Sequence, residues 1–280
     1  TNDCVTMAIG DAMGIVLEFL SLNDLLNFML VCRAWGEHVI GLGIITPDVR
    51  KKITEFMIKM KLPLGELKYW FTRLQITADE VCADRNSALR RACSNRRLDV
   101  AQLLTRTFTL TVDKDTLCEA LCKACSSGHL NVAQWLVDTF ALTANDTRVW
   151  NHYSLRLTCE YGHLDIAQWL VRTFALTAKD VRTDRNYALR ASCSNGHLDV
   201  AQWLVETFAL AIEDARAWNN VILRYACKNG RLDIAQWLVR TFALTVDDAR
   251  SENNESLQEA CKYGHLDVAK WLKEKFALTT

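Results

Sequence analysis

Charge of one sign is the first thing missing from this chain. Its 280 residues carry 33 lysines and arginines against 33 aspartates and glutamates, a formal net charge of +0. That balance leaves no basic footprint for a nucleic acid or an anionic membrane, and neither is expected as a partner. Long apolar runs are missing too: none approaches the ~18 residues of a membrane-spanning helix. The N-terminus carries Asp3, Asp11 and Glu18 and no basic stretch, which argues against a signal peptide. An initiator Met is also absent, so the chain reads as a fragment or a processed form. Proline is scarce: Pro47 and Pro63 lie close together and mark a boundary. No phosphate-cradling P-loop, G-x-S-x-G elbow or H-E-x-x-H occurs, so none of those signatures points to an enzyme.

What is present is a repeat. Hydrophobic residues make up 50% of the chain, enough for folding rather than disorder. Cys125, Cys159, Cys193, Cys227 and Cys261 stand 34 residues apart, and Cys93 stands 32 ahead of the first. A constant step of this size predicts a stack of like units, each burying its apolar face against its neighbours. Residues copied in every unit are then scaffold, and function belongs where the copies differ or outside the array. Eleven cysteines in a short secreted chain would suggest disulfides. Six of these share one repeat position inside an apolar helix pattern. They read as small core residues in a reducing compartment, the cytoplasm or the nucleus.

Within the copy from Thr183 to Ala217, Asn186 is placed to cap a short helix, YALRASC, by accepting an orphan backbone N–H. Asn86, Asn220 and Asn254 hold the same place. Gly196 then ends that helix, since glycine adopts the left-handed conformation at no steric cost. A second helix, LDVAQWLVETF, places Leu198, Ala201, Leu204, Val205 and Phe208 on one side. Trp203 recurs as Trp135, Trp169, Trp237 and Trp271, which makes it inter-repeat core rather than a ligand cage. The connectors Thr143–Asp146, Thr177–Asp180 and Thr245–Asp248 have capping-box spacing and predict a short third helical turn per unit.

This unit resembles an ankyrin repeat. The resemblance covers about residues 84 to 280 and rests on GHLDVAQWL and the preceding ALRxAC helix. Departures are the missing Thr-Pro opening, an arginine (Arg90, Arg156, Arg190, Arg224) in place of the helix-1 histidine, and no G-A-D-x-N hairpin signature. These favour an all-helical variant without β-hairpin fingers. A tetratricopeptide array shares the step, but its W-x-x-L-G-x-x-Y motif is absent. The fold expected is all-α: a helical solenoid of six ankyrin-like repeats in 84–280, a degenerate capping repeat in 47–83 and a small helical segment in 1–46. Lys273 replaces the valine of Val137, Val171, Val205 and Val239, as the outermost helix of an array would require.

Residues 1–46 do not follow the repeat. Met13, Val16 and Leu20 step at helical spacing, as do Leu25, Leu26, Met29, Cys32 and Trp35, with Ser21-Leu22-Asn23-Asp24 as a capping box between. Leu20-Ser21, Asp24-Leu25-Leu26 and above all Val31-Cys32-Arg33-x-Trp35 resemble an F-box, although Gly10-Asp11-Ala12 stands where that family has Leu-Pro. The resemblance implies binding to a Skp-type adaptor of a cullin ubiquitin ligase. On it, Ile15, Val16, Leu20, Leu22, Leu25, Leu26, Val31 and Trp35 would contact the adaptor. A segment this small cannot bury its apolar residues internally, so they pack on a partner or dock on the first repeat as a cap.

Chemistry finds weak support. Cys118, Cys122, Cys125 and His129 have ligand-like spacing, but a zinc site needs four ligands converging from facing elements, and Cys125 and His129 are ordinary repeat residues. Sets such as Cys159, His163 and Asp165 recur in most units, unlike a nucleophile, base and orienter meeting in one cleft. No cofactor is implied, and no enzyme activity.

The copies differ before and along the first helix. Aromatics and arginine anchor protein interfaces. The candidates for gripping a target protein are Trp150, Tyr153, Tyr187, Trp218 and Tyr225, flanked by Arg148, Arg216 and Lys228. Alternatively each tryptophan covers a neighbouring connector. The function expected is a protein–protein interaction module that recruits an unidentified target protein to a Skp/cullin-type ubiquitin ligase. The alternative is a binding scaffold or decoy with no ligase link, its N-terminus only a cap. A metal protein or enzyme using Cys118 and Cys122 is a third reading.

Overall fold

The computed structural model of the chain describes residue 37, residue 40 and residues 46–59, 61–108 and 112–278. Every regular element among the described residues is a helix, seventeen in all, with no strand among them. The expected all-α fold is what the chain adopts, and helical turns stand where β-hairpin fingers would. No helix among the described residues is long and apolar enough to cross a membrane. The chain divides into two compact units, Thr1–Val112 and Asp113–Thr280.

In the first unit α1 (Pro47–Lys59), α2 (Leu64–Arg73), α3 (Ala78–Ser94) and α4 (Leu98–Phe108) enclose an apolar core. Ile53, Met57, Ile58, Leu67, Trp70 and Leu89 are buried there. α3 opens on a reciprocal cap. Glu80 N donates to Thr77 Oγ1 at 3.3 Å and Thr77 N donates to Glu80 Oε2 at 3.0 Å, each satisfying a donor that a helix start leaves orphaned. Arg50 Nε reaches the same Glu80 at 2.6 Å.

The second unit runs α5 (Lys114–Ser126), α6 (Leu130–Phe140), α7 (Ala144–Val149), α8 (Tyr153–Glu160), α9 (Leu164–Thr173), α10 (Ala178–Val181), α11 (Thr183–Asn195), α12 (Leu198–Phe208), α13 (Ile212–Lys228), α14 (Leu232–Thr241), α15 (Val246–Ala249), α16 (Ser251–Lys262) and α17 (Leu266–Phe276). The first helices α5, α8, α11, α13 and α16 pack in that order. Helical periodicity decides what they bury. In α12, Val200, Ala201 and Leu204 are fully buried, and burying a side chain the size of Val200 or Leu204 is worth about 1.5–3 kcal/mol. Each repeat tryptophan leans edge-on against the phenylalanine five residues later, as Trp203 does on Phe208 at 6.0 Å between ring centroids. Cys125, Cys159, Cys193 and Cys227 are buried, whereas Cys261 is exposed and Leu266 is 74% exposed.

Capping boxes form at Thr143, Thr177 and Thr245, and α7, α10 and α15 are the short third helices they open. In the remaining copy Asp214 accepts from Ala211 N at 2.9 Å, and the turn runs on into α13. Each of these aspartates also receives a cation from the preceding repeat. Lys114 reaches Asp146 at 3.3 Å, Arg148 reaches Asp180 at 3.7 Å, Arg182 reaches Asp214 at 2.6 Å and Arg216 reaches Asp248 at 2.8 Å. One carboxylate thus caps its own helix and ties two repeats together.

The asparagines do not behave as the sequence suggested. Asp184, Arg185 and Asn186 all have positive φ (48°, 60° and 53°), and so do Trp218 to Asn220 and Glu252 to Asn254. Left-handed backbone costs a non-glycine residue about 1–2 kcal/mol, so the conformation persists only where neighbours hold it. Asn186 does not accept an orphan N–H. It is buried, and its Nδ2 donates to the next repeat's Asp214 at the carbonyl oxygen (3.2 Å) and at Oδ1 (3.4 Å). His152 fills the same place and meets Asp180 Oδ1 through Nε2 at 3.0 Å. The turn is therefore a cross-repeat clamp, not an N-cap.

Candidate functional site

The inner faces of α8, α11, α13 and α16 are committed to the core through residues such as Leu155, Leu189, Leu223 and Leu257. Their outer faces carry a row in which aromatic rings and cations alternate. The Arg156 guanidinium lies 5.3 Å from the Tyr153 ring and 4.6 Å from Tyr187. Arg190 lies 5.0 Å from Tyr187 and 5.6 Å from Tyr225. Lys228 lies 5.9 Å from Tyr225 and 5.1 Å from Tyr263, and Lys262 lies 5.3 Å from Tyr263. A cation over a ring face is drawn to its quadrupole, so the row holds itself in place without burying its rings. Tyr153, Tyr225 and Tyr263 stay exposed.

Two acids join the row. Tyr187 donates its hydroxyl to Glu160 at 2.6 Å. Burial, and then donation to that carboxylate, push the Tyr187 phenol up to about 12. Glu259 sits between Lys228 (3.1 Å) and Lys262 (3.2 Å), and the hydrogen bond from Lys228 holds its carboxyl below the usual range. Trp218 adds a second exposed element. It is 56% exposed on its left-handed turn, and the Arg185 guanidinium covers it at 4.0 Å.

Of the target-binding candidates read from the sequence, the structure brings Tyr153, Tyr187, Tyr225 and Lys228 into this one row. Trp218 stands on the turn before α13. Trp150 is half-buried, and its Nε1 donates to Asp115 of the preceding repeat at 3.3 Å. Arg148 and Arg216 are engaged by Asp180 and Asp248, Arg216 through both Nε (2.8 Å) and Nη2 (3.0 Å). Arg156, Arg190, Lys262 and Tyr263 complete the row and were absent from the sequence-based set. The arginines recur at one repeat position and so read as scaffold; only their partners differ between copies. The adaptor candidates Ile15, Val16, Leu20, Leu22, Leu25, Leu26, Val31 and Trp35 lie outside the described residues.

The cysteine and histidine positions have packing roles. Cys118 donates to the Asp146 carbonyl at 3.5 Å, and Cys122 pairs with Ser154 at 3.1 Å. Burial pushes their thiols up to about 11 and about 12, which suppresses the thiolate that metal binding and nucleophilic attack both need. Cys159 is fully buried while Asp165 is exposed. His163 is spent on structure: its Nε2 meets the Ser126 carbonyl at 3.1 Å, and its ring covers Gly128, where an added Cβ would lie 2.9 Å from Cε1.

A family model described as ankyrin repeats in three copies matches residues 121–214, 155–248 and 210–279. An F-box domain model matches residues 11–44. No curated protein matches the chain. Both families are interaction domains without catalytic chemistry of their own. The ankyrin matches together run over residues 121–279 of 280, so the chain belongs to the ankyrin-repeat family, with an F-box domain ahead of the repeats.

Proposed function

We propose that this protein is a substrate receptor of a Skp/cullin-type ubiquitin ligase. The observation that carries the reading is the joining, on one chain, of an F-box match to repeats whose first helices expose an aromatic–cation row that changes from copy to copy. In this reading residues 1–46 engage the adaptor through Ile15, Val16, Leu20, Leu22, Leu25, Leu26, Val31 and Trp35. Residues 47–83 cap six repeats in 84–280. Tyr153, Tyr187, Tyr225 and Lys228, with Trp218 and Trp150 beside them, grip the target, while Arg148 and Arg216 hold the connectors beneath. The mechanism is proximity, with a bound target brought to the ligase and no bond made or broken by this chain. The setting is a reducing one, the cytoplasm or nucleus, which suits buried free thiols.

The test is binding of a purified Skp-type adaptor to the intact chain. Micromolar affinity that disappears in Leu25→Asp supports the reading; no measurable binding counts against it. One contact favours the alternative of a scaffold or decoy whose N-terminus is only a cap. Glu37, inside the F-box match, accepts from Arg73 Nε of α2 at 2.7 Å and also from the Tyr69 hydroxyl. Arg73, and then Tyr69, lower its carboxyl to about 2. If that contact caps the first unit, Glu37→Gln lowers the melting temperature and leaves adaptor binding absent.

A further inference from the structure

The arginine three residues before the repeat cysteine recurs, but its partner does not. Arg156 pairs through Nη2 with Asp184 of the next repeat at 3.1 Å. Arg224 pairs with Glu255 of the next repeat at 2.9 Å and donates to the Asn219 carbonyl at 3.3 Å. At Arg190 both partner positions have changed: Trp218 stands where Arg156 finds Asp184, and Val221 stands where Arg224 finds Glu255. Among the described residues Arg190 has no ion pair. Its Nε is buried without a hydrogen-bond partner, as are those of Arg156 and Arg224, but where those two have a carboxylate Arg190 has the rings of Tyr187 and Tyr225.

A guanidinium is a rigid fork of donors matched to a carboxylate or phosphate, and it stays charged at any physiological pH. Held between two rings, it is oriented without being neutralised, and less ordering remains to be lost on binding. We infer that Arg190 is the anchor for an oxyanion carried by the target polypeptide, either an aspartate or glutamate carboxylate or a phosphorylated side chain. Tyr187 and Tyr225 flank the anchor, and Trp218 stands on the turn seven residues before Tyr225. The inference rests on the target-binding reading above and names the chemistry that face selects. The rest of the row fits it: Glu160 and Glu259 already have Tyr187, Lys228 and Lys262, so Arg190 is the cation in the row with no acid assigned to it.

The experiment uses the intact chain and three labelled pools of short degenerate peptides that differ only at a central residue: aspartate, phosphoserine or asparagine. Fluorescence anisotropy reads the affinity of each pool. The aspartate or the phosphoserine pool is expected to bind at least about tenfold tighter than the asparagine pool, and whichever is tighter identifies the source of the oxyanion. Val221→Glu supplies an internal acid as Glu255 does for Arg224, and is expected to abolish the preference while the melting temperature shifts by no more than about 2 °C. Arg190→Met is expected to do the same; should it unfold the chain, Val221→Glu decides. Equal binding of the three pools, a preference that survives Val221→Glu, or binding by none of the pools overturns the anchor. Equal binding that Tyr225→Ala removes would overturn the anchor and leave the target-binding reading standing.

Discussion

Two sets of inter-repeat contacts run through the second unit, and they differ in how closely they repeat. At the connectors, Arg182 on Asp214 (2.6 and 2.8 Å) and Arg216 on Asp248 (2.8 and 3.0 Å) are nearly the same contact. Each aspartate accepts a capping amide as well, from Ala211 at 2.9 Å and from Thr245 at 2.8 Å. On the outer faces of the first helices nothing repeats so closely: Arg156 meets Asp184, Arg224 meets Glu255 and Arg190 meets neither. Stacking sets a cation from one repeat on the capping aspartate of the next at each connector, from the single contacts at Asp146 and Asp180 to the two-point contacts at Asp214 and Asp248. The outer row ties the repeats through a different pair each time, so no one residue set is imposed on it.

The comparison breaks most sharply in paired variants. Leu204→Ala removes a fully buried side chain and is expected to cost about 2–5 kcal/mol in chemical denaturation. Tyr153→Ala, on the outer row, is expected to stay within about 0.5 kcal/mol of the parent while weakening target binding. An equal loss in the two would erase the distinction between scaffold and surface.

Next in size is the connector carboxylate. Asp214→Ala removes a cap, a two-point arginine contact and the Asn186 contact to Oδ1, though not the one to the main-chain carbonyl, and about 2–3 kcal/mol is expected to go with them. Asp146→Ala, facing a single lysine contact at 3.3 Å, is expected to cost about 1 kcal/mol. Glycine sharpens the same point. Gly128 and Gly264 both have positive φ (76° and 79°), but a Cβ on Gly128 meets His163 at 2.9 Å and one on Gly264 meets nothing within 4 Å. Gly264→Ala is expected to cost about 1 kcal/mol for backbone alone, and Gly128→Ala measurably more, read as a difference in melting temperature.

The smallest effect is the pH dependence. The Arg182 guanidinium leads in holding the Asp214 carboxyl below its usual range, against the opposing effect of burial. A carboxyl depressed in the folded state contributes stability that is complete above its unfolded value, about 4. That stability fades as pH falls below it. Melting temperature should therefore decline with acid below pH about 4, and Asp214→Asn should flatten the decline. A slope unchanged in Asp214→Asn would assign the acid sensitivity to other carboxylates.

The period, the two-helix unit and the short third helix were legible because each is written in local spacing: cysteines 34 apart, apolar residues at helical steps, and Thr and Asp three apart. The left-handed turns were not. Asn186 before an apolar run looks like a cap, and only the next repeat's Asp214, 28 residues on, turns it into a clamp. The same blindness to register made Arg148 and Arg216 look available, although their partners stand 32 residues further along. Repetition hid Arg156 and Arg190 in turn, since a residue copied from unit to unit reads as scaffold whatever its neighbours are. What singles out Arg190 is the pair of positions where Trp218 and Val221 replace an acid.

Affinity capture with the intact chain, quantified side by side with a Tyr153→Ala/Trp218→Ala double variant, tests the central claim most directly. A Skp-type adaptor should be recovered equally with both proteins, while a target protein recovered with the parent should be lost from the variant. Equal recovery of every captured protein, or no adaptor with either, would contradict the account of an exposed row that holds a target and an F-box that delivers it.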